Sequence, residues 1–276
     1  MKFKRNIIII TLIIAVFFTI SSVCAVDSEI QSSNIYHSTD DVVGEVNDNS
    51  LEMKGADELM AETDDLNQTI NGVSSTYIEL EKSYHGSYNG GIGVEINRDN
   101  VVIDWKGHTI DCTGEKSRMF NVNKDGITFK NMIFTGGSSD YGGAISTNND
   151  LTLINCTFID NQATDTGSEY GGGAIFAFDV KLSIYNCTFI NNHATSNGGA
   201  IAGMGDAPDD WGIINCTFIG NSAEVDGGAF YSNADQNMGN IINSTFINNR
   251  AKQGDVIYNY GYFGTIDRCI FVNIVT

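Results

Sequence analysis

Two acidic clusters in this chain could do chemistry. Asp209 and Asp210 adjoin Trp211, and Asp104, His108 and Asp111 fall within one short stretch. Glycoside hydrolysis needs two carboxylates facing each other across a bond, about 5–10 Å apart. An indole beside such a pair offers a platform for a sugar ring. These residues hold open a polysaccharide-active hydrolase or lyase as an alternative function. A lyase would also need a basic proton acceptor and a calcium cage, and the chain beyond residue 75 is short of Lys and Arg. The plainer reading makes Asp209 and Asp210 a solvated loop and Asp104 and Asp111 turn residues. His37, His85, His108 and His193 share no ligand spacing, so no transition-metal site is assigned, and no catalytic residue or cofactor is expected.

Charge narrows the function classes further. The 276 residues carry 15 Lys and Arg against 34 Asp and Glu, a formal net charge of -19. Binding nucleic acid through its phosphates needs the opposite sign, so that partner class is excluded. With 30 Gly and one Pro and no Gly-X-Y period, the chain is neither collagen nor an ordinary helical protein.

The elements that must position these side chains come from an internal repeat. Asn155-Cys-Thr-Phe-Ile-Asp-Asn161 recurs as Asn186 to Asn192, Asn215 to Asn221 and, with Ser for Cys, Asn243 to Asn249. Weaker copies begin at Asn131 and Arg268. A second motif keeps phase with the first: Gly142-Gly-Ala-Ile145, then Gly172, Gly198 and Gly227, with a decayed copy at Gly254. Within a repeat, Leu151-Thr-Leu153 and Cys156-Thr-Phe158 alternate apolar and polar residues, the period of a strand. The alternation breaks at Ile154-Asn155, where Asn tolerates a left-handed bend. Three short strands per 24–31 residues predict an all-β, single-stranded parallel β-helix of about seven coils. Ile92 to Cys112 and Phe120 to Phe134 supply two looser coils, and Tyr77 to Leu80 a capping strand.

Equivalent residues should stack. Phe134, Phe158, Phe189, Phe218, Phe246 and Phe271 are expected to form one internal aromatic column. Asn131, Asn155, Asn186, Asn215 and Asn243 are expected to form an internal amide ladder at a turn. If so, the sequons that begin at Asn155, Asn186, Asn215 and Asn243 cannot carry glycans. The Gly pairs permit bends that a Cβ would block. Cys156, Cys187 and Cys216 share one repeat position and read, with Cys112 and Cys269, as small buried thiols rather than disulfides. Neighbouring coils lie about 4.8 Å apart, longer than a disulfide's Cβ separation.

The termini complete the domain plan. Residues 1–25 hold a basic start, an apolar run and small residues before Ala25, the pattern of a secretory signal peptide. The alternative is an uncleaved anchor over residues 7–26. Residues 26–74 are acidic and aperiodic and read as a disordered linker. Asn67-Gln-Thr is an exposed sequon there. Residues 75–276 form the repeat domain.

The Phe-x-x-Asn pairs at Phe158/Asn161, Phe189/Asn192, Phe218/Asn221 and Phe246/Asn249, with Gly-Gly-Ala-Ile, resemble the repeats of chlamydial-type polymorphic outer-membrane proteins. The fuller wording, Asn-Cys-Thr-Phe-Ile-x-Asn-x-Ala, is similar to adhesin-like surface proteins of methanogenic archaea. So is Val102 to Asp111 followed by Arg118-Met-Phe-Asn-Val122. The resemblance covers roughly residues 75–276. It implies a secreted or surface-displayed right-handed β-helix of pectin-lyase-like fold with an adhesive, non-catalytic role. Two features depart from it: no outer-membrane barrel follows the repeats, and no further attachment domain does. Galacturonase-like enzymes of this fold show a His-Gly and an Arg-x-Lys that this chain lacks. The expected partner is a glycan or cell-surface ligand, met by loops 162–171, 202–212 and 231–240, with Tyr170, Trp211 and Tyr231 as contact aromatics. The membrane is met only through the N-terminal segment if it stays uncleaved. The last coil offers an edge for end-to-end self-association, which leaves a structural coat component as a second alternative.

Overall fold

One repeat shows how the chain closes a coil. Leu151–Ile154 runs as a strand with Leu151 and Leu153 buried. Asn155 then turns it at φ 54. Thr157–Ile159 follows with Phe158 buried, and Asp160 turns the chain again at φ 53. Gln162–Ala163 is a short fourth strand. A loop leads to Gly172-Gly173-Ala174, and Ile175–Phe178 closes the coil before Leu182–Tyr185 begins the next.

The computed structural model describes residues 65–167, 170–205, 211–233, 239–261 and 264–273. These residues form a parallel β-helix of about seven coils, built on sheets of eight, seven and eight strands and a small one of four. Every strand pairs in parallel with its equivalent one coil away, as Thr157, Phe158 and Ile159 do with Thr188, Phe189 and Ile190. All described residues belong to the unit Ser50–Thr276. The signal or anchor at 1–25 and the linker as far as residue 64 lie outside them.

The register stacks the Phe side chains. Phe134, Phe158, Phe189, Phe218, Phe246 and Phe271 have centroid separations of 4.5, 4.8, 4.7, 4.8 and 5.0 Å and planes within 8°. The spacing is that of neighbouring strands, so strand pairing itself imposes the stack. Cys112, Cys156, Cys187 and Cys216 are buried free thiols, and Cys269 is partly exposed.

The two glycines of each pair have different tasks. The first adopts positive φ, as at Gly172 (73°) and Gly198 (69°). The second lets successive coils touch through their backbones: a Cβ on Gly173 would sit 2.2 Å from the Gly199 carbonyl oxygen.

The amide ladder differs from the expectation. Asn155, Asn186, Asn215 and Asn243 occupy the left-handed bend but face solvent. Asn131 donates to Asp104 Oδ1 at 2.8 Å and Asn155 donates to Asn131 Oδ1 at 3.2 Å, a short chain on the outside. The internal ladder is made by the last Asn of each motif. Asn161, Asn192, Asn221 and Asn249 are fully buried. Each Nδ2 of the first three donates to the next Oδ1 at 2.9 Å, and that same oxygen accepts the backbone N–H one coil earlier at 3.0–3.1 Å. The second Nδ2 hydrogen goes to a Phe carbonyl, as from Asn192 to Phe158 O at 3.1 Å. The reason lies in direction. A residue in the left-handed bend projects outward, whereas the position one past the second bend points back into the coil.

The domain boundary also moves. Residues 65–71 are helical, and Leu66 and Ile70, one turn apart, are buried in the common core. Arg98 holds this segment by donating to Ile70 O at 2.8 Å and Ser75 O at 2.9 Å, and Asn71 Nδ2 donates to Glu95 O at 2.8 Å. Residues 65–74 are therefore not linker. Tyr77–Glu79 pairs with Val102–Asp104 as the first strand of its sheet. So short an apolar pair shows no helical period in the sequence, and only the open end of the core gives it something to cover.

Candidate functional site

The fourth sheet begins later than the others, and that offset creates a groove. Its first strand is Ser138–Ser139. Earlier coils carry loops at that corner: the 3-10 turn Asn89–Gly91 and the stretch from Gly114 to Ser117. The space between these loops and the first strands of the fourth sheet is about 620 Å³. It is lined by Ile92, Lys116, Arg118, Asn121, Asp140 and Tyr141, with Ser138, Ser139 and Thr164 along one side.

Arg118 anchors the wall and is 7% exposed. Its Nε donates to Gly142 O at 3.0 Å, and its Nη2 donates to Ser139 Oγ at 3.0 Å and Tyr141 O at 2.6 Å. Its guanidinium lies 4.8 Å from the Tyr141 ring centroid. Nη1 has no hydrogen bond among the described residues, so part of the planar fork stays open. Burial lowers its pKa, yet a guanidinium starts so high that it stays charged at any ordinary pH.

Tyr141 joins the groove to an aromatic cluster on the outer side of the Ile175–Phe178 sheet. It lies 4.8 Å from Phe176 and 5.9 Å from Tyr170, and Tyr170 lies 5.4 Å from Phe176. Tyr170 is 40% exposed. The other two expected contact aromatics are inside. Trp211 is 2% exposed, and its Nε1 donates to Val180 O at 2.6 Å. Ser183 pairs with Gly212, which puts Trp211 in register with Leu182, and its ring packs on Phe230 at 5.9 Å. The indole is a core residue at an inward position, and that phase was legible in Trp211-Gly-Ile213 beside Leu182-Ser-Ile184. Tyr231 is 5% exposed and stacks on Tyr258 at 5.7 Å. Outward residues on this sheet bury each other, so facing away from the core does not leave Tyr231 free.

The acidic clusters divide. Asp209 and Asp210 lie outside the described residues. Asp104 and Asp111 end strands of different sheets. Asp104 accepts from Tyr77 Oη at 2.8 Å, Asn131 Nδ2 at 2.8 Å and the Lys106 amide at 3.1 Å. Burial alone would raise its pKa, but these hydrogen bonds outweigh burial and hold it below the ordinary value. Asp111 accepts from the Thr113 amide at 2.7 Å. Both carboxylates tie down bends, and no shared hydrogen bond joins them to each other or to His108.

With this geometry in view, three segments match the family model of the Chlamydia polymorphic membrane protein repeat: residues 155–177, 186–203 and 215–233. Each runs from the left-handed Asn through the buried Phe and the ladder Asn to the strand after the Gly pair. No curated protein and no solved structure matches the chain. Among the described residues no helix is long and apolar enough to cross a membrane. The groove was missed in the sequence because its lining comes from four coils of irregular length. Lys116 and Arg118, two cations in an acidic chain, were the available signal.

Proposed function

We propose that this protein is a secreted or surface-displayed, non-catalytic β-helix that binds a glycan in the groove lined by Arg118. One observation carries the reading. A nearly buried guanidinium is fixed by three hydrogen bonds, keeps Nη1 unspent, and stands beside Lys116 and Tyr141. A fixed planar donor with an aromatic ring and hydroxyls around it suits sugar hydroxyls, and best a sugar bearing a carboxylate. Among the described residues, Asp140 is the one carboxylate on the lining, where hydrolysis of a glycosidic bond calls for two. The repeat shared with Chlamydia polymorphic membrane proteins supports a place at the cell surface.

Titration with neutral and acidic oligosaccharides tests this. Acidic chains should bind better, and Lys116→Ala and Tyr141→Ala should each weaken binding about tenfold, the size of one lost charged or stacking contact. Binding unchanged in both variants would remove the groove from the account. New reducing ends or unsaturated sugars would make the protein an enzyme instead. Fractionation of native cells with intact mass tests location: a chain starting at Val26 in the medium means secretion, and a full-length chain in the membrane fraction means an anchor.

A further inference from the structure

The solvent-facing Asn column has a consequence of its own. We propose that Asn155, Asn186, Asn215 and Asn243 are N-glycosylation acceptors, a stack of sugar-bearing turns along one corner of the β-helix. Each begins an Asn-x-Thr sequon, completed by Thr157, Thr188, Thr217 and Thr245. The objection to these sequons was that the amides line the interior, and the buried ladder belongs instead to Asn161, Asn192, Asn221 and Asn249. All four acceptors are exposed. Among the described residues the side-chain amides of Asn186, Asn215 and Asn243 have no hydrogen-bond partner, and Asn155 has one 3.2 Å bond to Asn131 Oδ1.

The fold does not itself demand the sequon. The same left-handed bend is made by Arg268 at φ 52. In the strand that follows, Thr157 pairs with Ile133 and Thr245 pairs with Ile270, so Ile fills the Thr position at both ends of the column. Asn131 is followed by Ile133 and Arg268 by Ile270, so neither end coil completes a sequon. Asn and Thr therefore occur together in the central coils although the backbone accepts other residues at each place.

The reaction needs a lipid-linked oligosaccharyl phosphate or pyrophosphate as donor. The Asn Nδ2 attacks the anomeric carbon and the N–C bond forms. The bond from that carbon to the phosphate oxygen breaks, the lipid phosphate leaves, and the amide proton is lost to solvent. Neighbouring turns stand about 4.8 Å apart, the strand spacing. Sugars on adjacent Asn crowd each other, so fewer than four glycans are expected on any one molecule.

The test is glycopeptide mass spectrometry with intact mass on the chain purified from its native cells. Asn155, Asn186, Asn215 and Asn243 peptides should carry sugar at partial occupancy. Thr188→Val keeps a β-branched residue in the strand and should abolish sugar on Asn186 alone. Four unmodified peptides overturn the proposal, and so does sugar confined to Asn67. Sugar persisting on Asn186 in Thr188→Val overturns the sequon as its cause. Groove binding is read separately by titration, so either result can fail without the other.

Discussion

At the residue scale, two Asn positions six residues apart differ in what they hold. Asn192 is saturated: its Oδ1 accepts two bonds from Asn161 and its Nδ2 donates to Asn221 Oδ1 and Phe158 O. Removing it leaves several buried polar groups without partners, at about 1–3 kcal/mol each. Asn186 contributes a left-handed bend, which an alanine adopts at a cost of about 1–2 kcal/mol. Asn192→Ala should therefore destabilise by at least about 3 kcal/mol in denaturant unfolding, and Asn186→Ala by no more than about 2 kcal/mol. Equal costs would return the ladder to the outer column. Asp104 gives a pH signature. A folded carboxyl held below its unfolded value adds stability that is complete above the unfolded range and is lost as pH falls through the folded one. Asp104→Asn should flatten that acid-side loss, measured as the midpoint of unfolding at neutral and at acid pH.

At the element scale, the helical segment 65–71 and the Gly pairs explain how coils begin and stay in contact. Leu66 and Ile70 cover core that the first strands leave open. Leu66→Ala should cost about 2–5 kcal/mol, as for any buried leucine, whereas the same change in a disordered linker would cost nothing. Gly173→Ala should cost about 1–3 kcal/mol or more, because the added carbon meets backbone that cannot rotate away. Unfolding midpoints of both variants decide it. The Gly pairs were visible as a motif, but sequence assigned them one task where the coil contacts show two. The helical segment was invisible because two apolar residues make no period.

At the scale of the whole molecule, a single core runs through the coils and shields what faces it. Cys112, Cys156, Cys187 and Cys216 lie in it. Burial pushes the Cys112 thiol up to about 12 and raises Cys187, whereas the hydrogen bond with Cys187 lowers Cys216, so what shields all four alike is their burial. Since the thiolate is the reactive form, the native chain should be alkylated first at Cys269, and at the other four only on unfolding. Mass spectrometry of labelled peptides checks this. Early labelling of Cys187 would mean that the coils open locally.

The β-helix, its coil count and the stacked Phe residues follow from local rules: a period-two strand pattern, Asn and Gly where the backbone must take positive φ, and repetition at a spacing of one coil. Each needs only neighbours in the chain and its own copy one repeat away. Which Asn turns inward, whether Trp211 faces solvent, and where Arg118 meets Tyr141 are set by side-chain direction after the bends and by loops of unequal length in different coils. Those quantities do not repeat. They arise when coils of different length stack, and so only the folded molecule determines them.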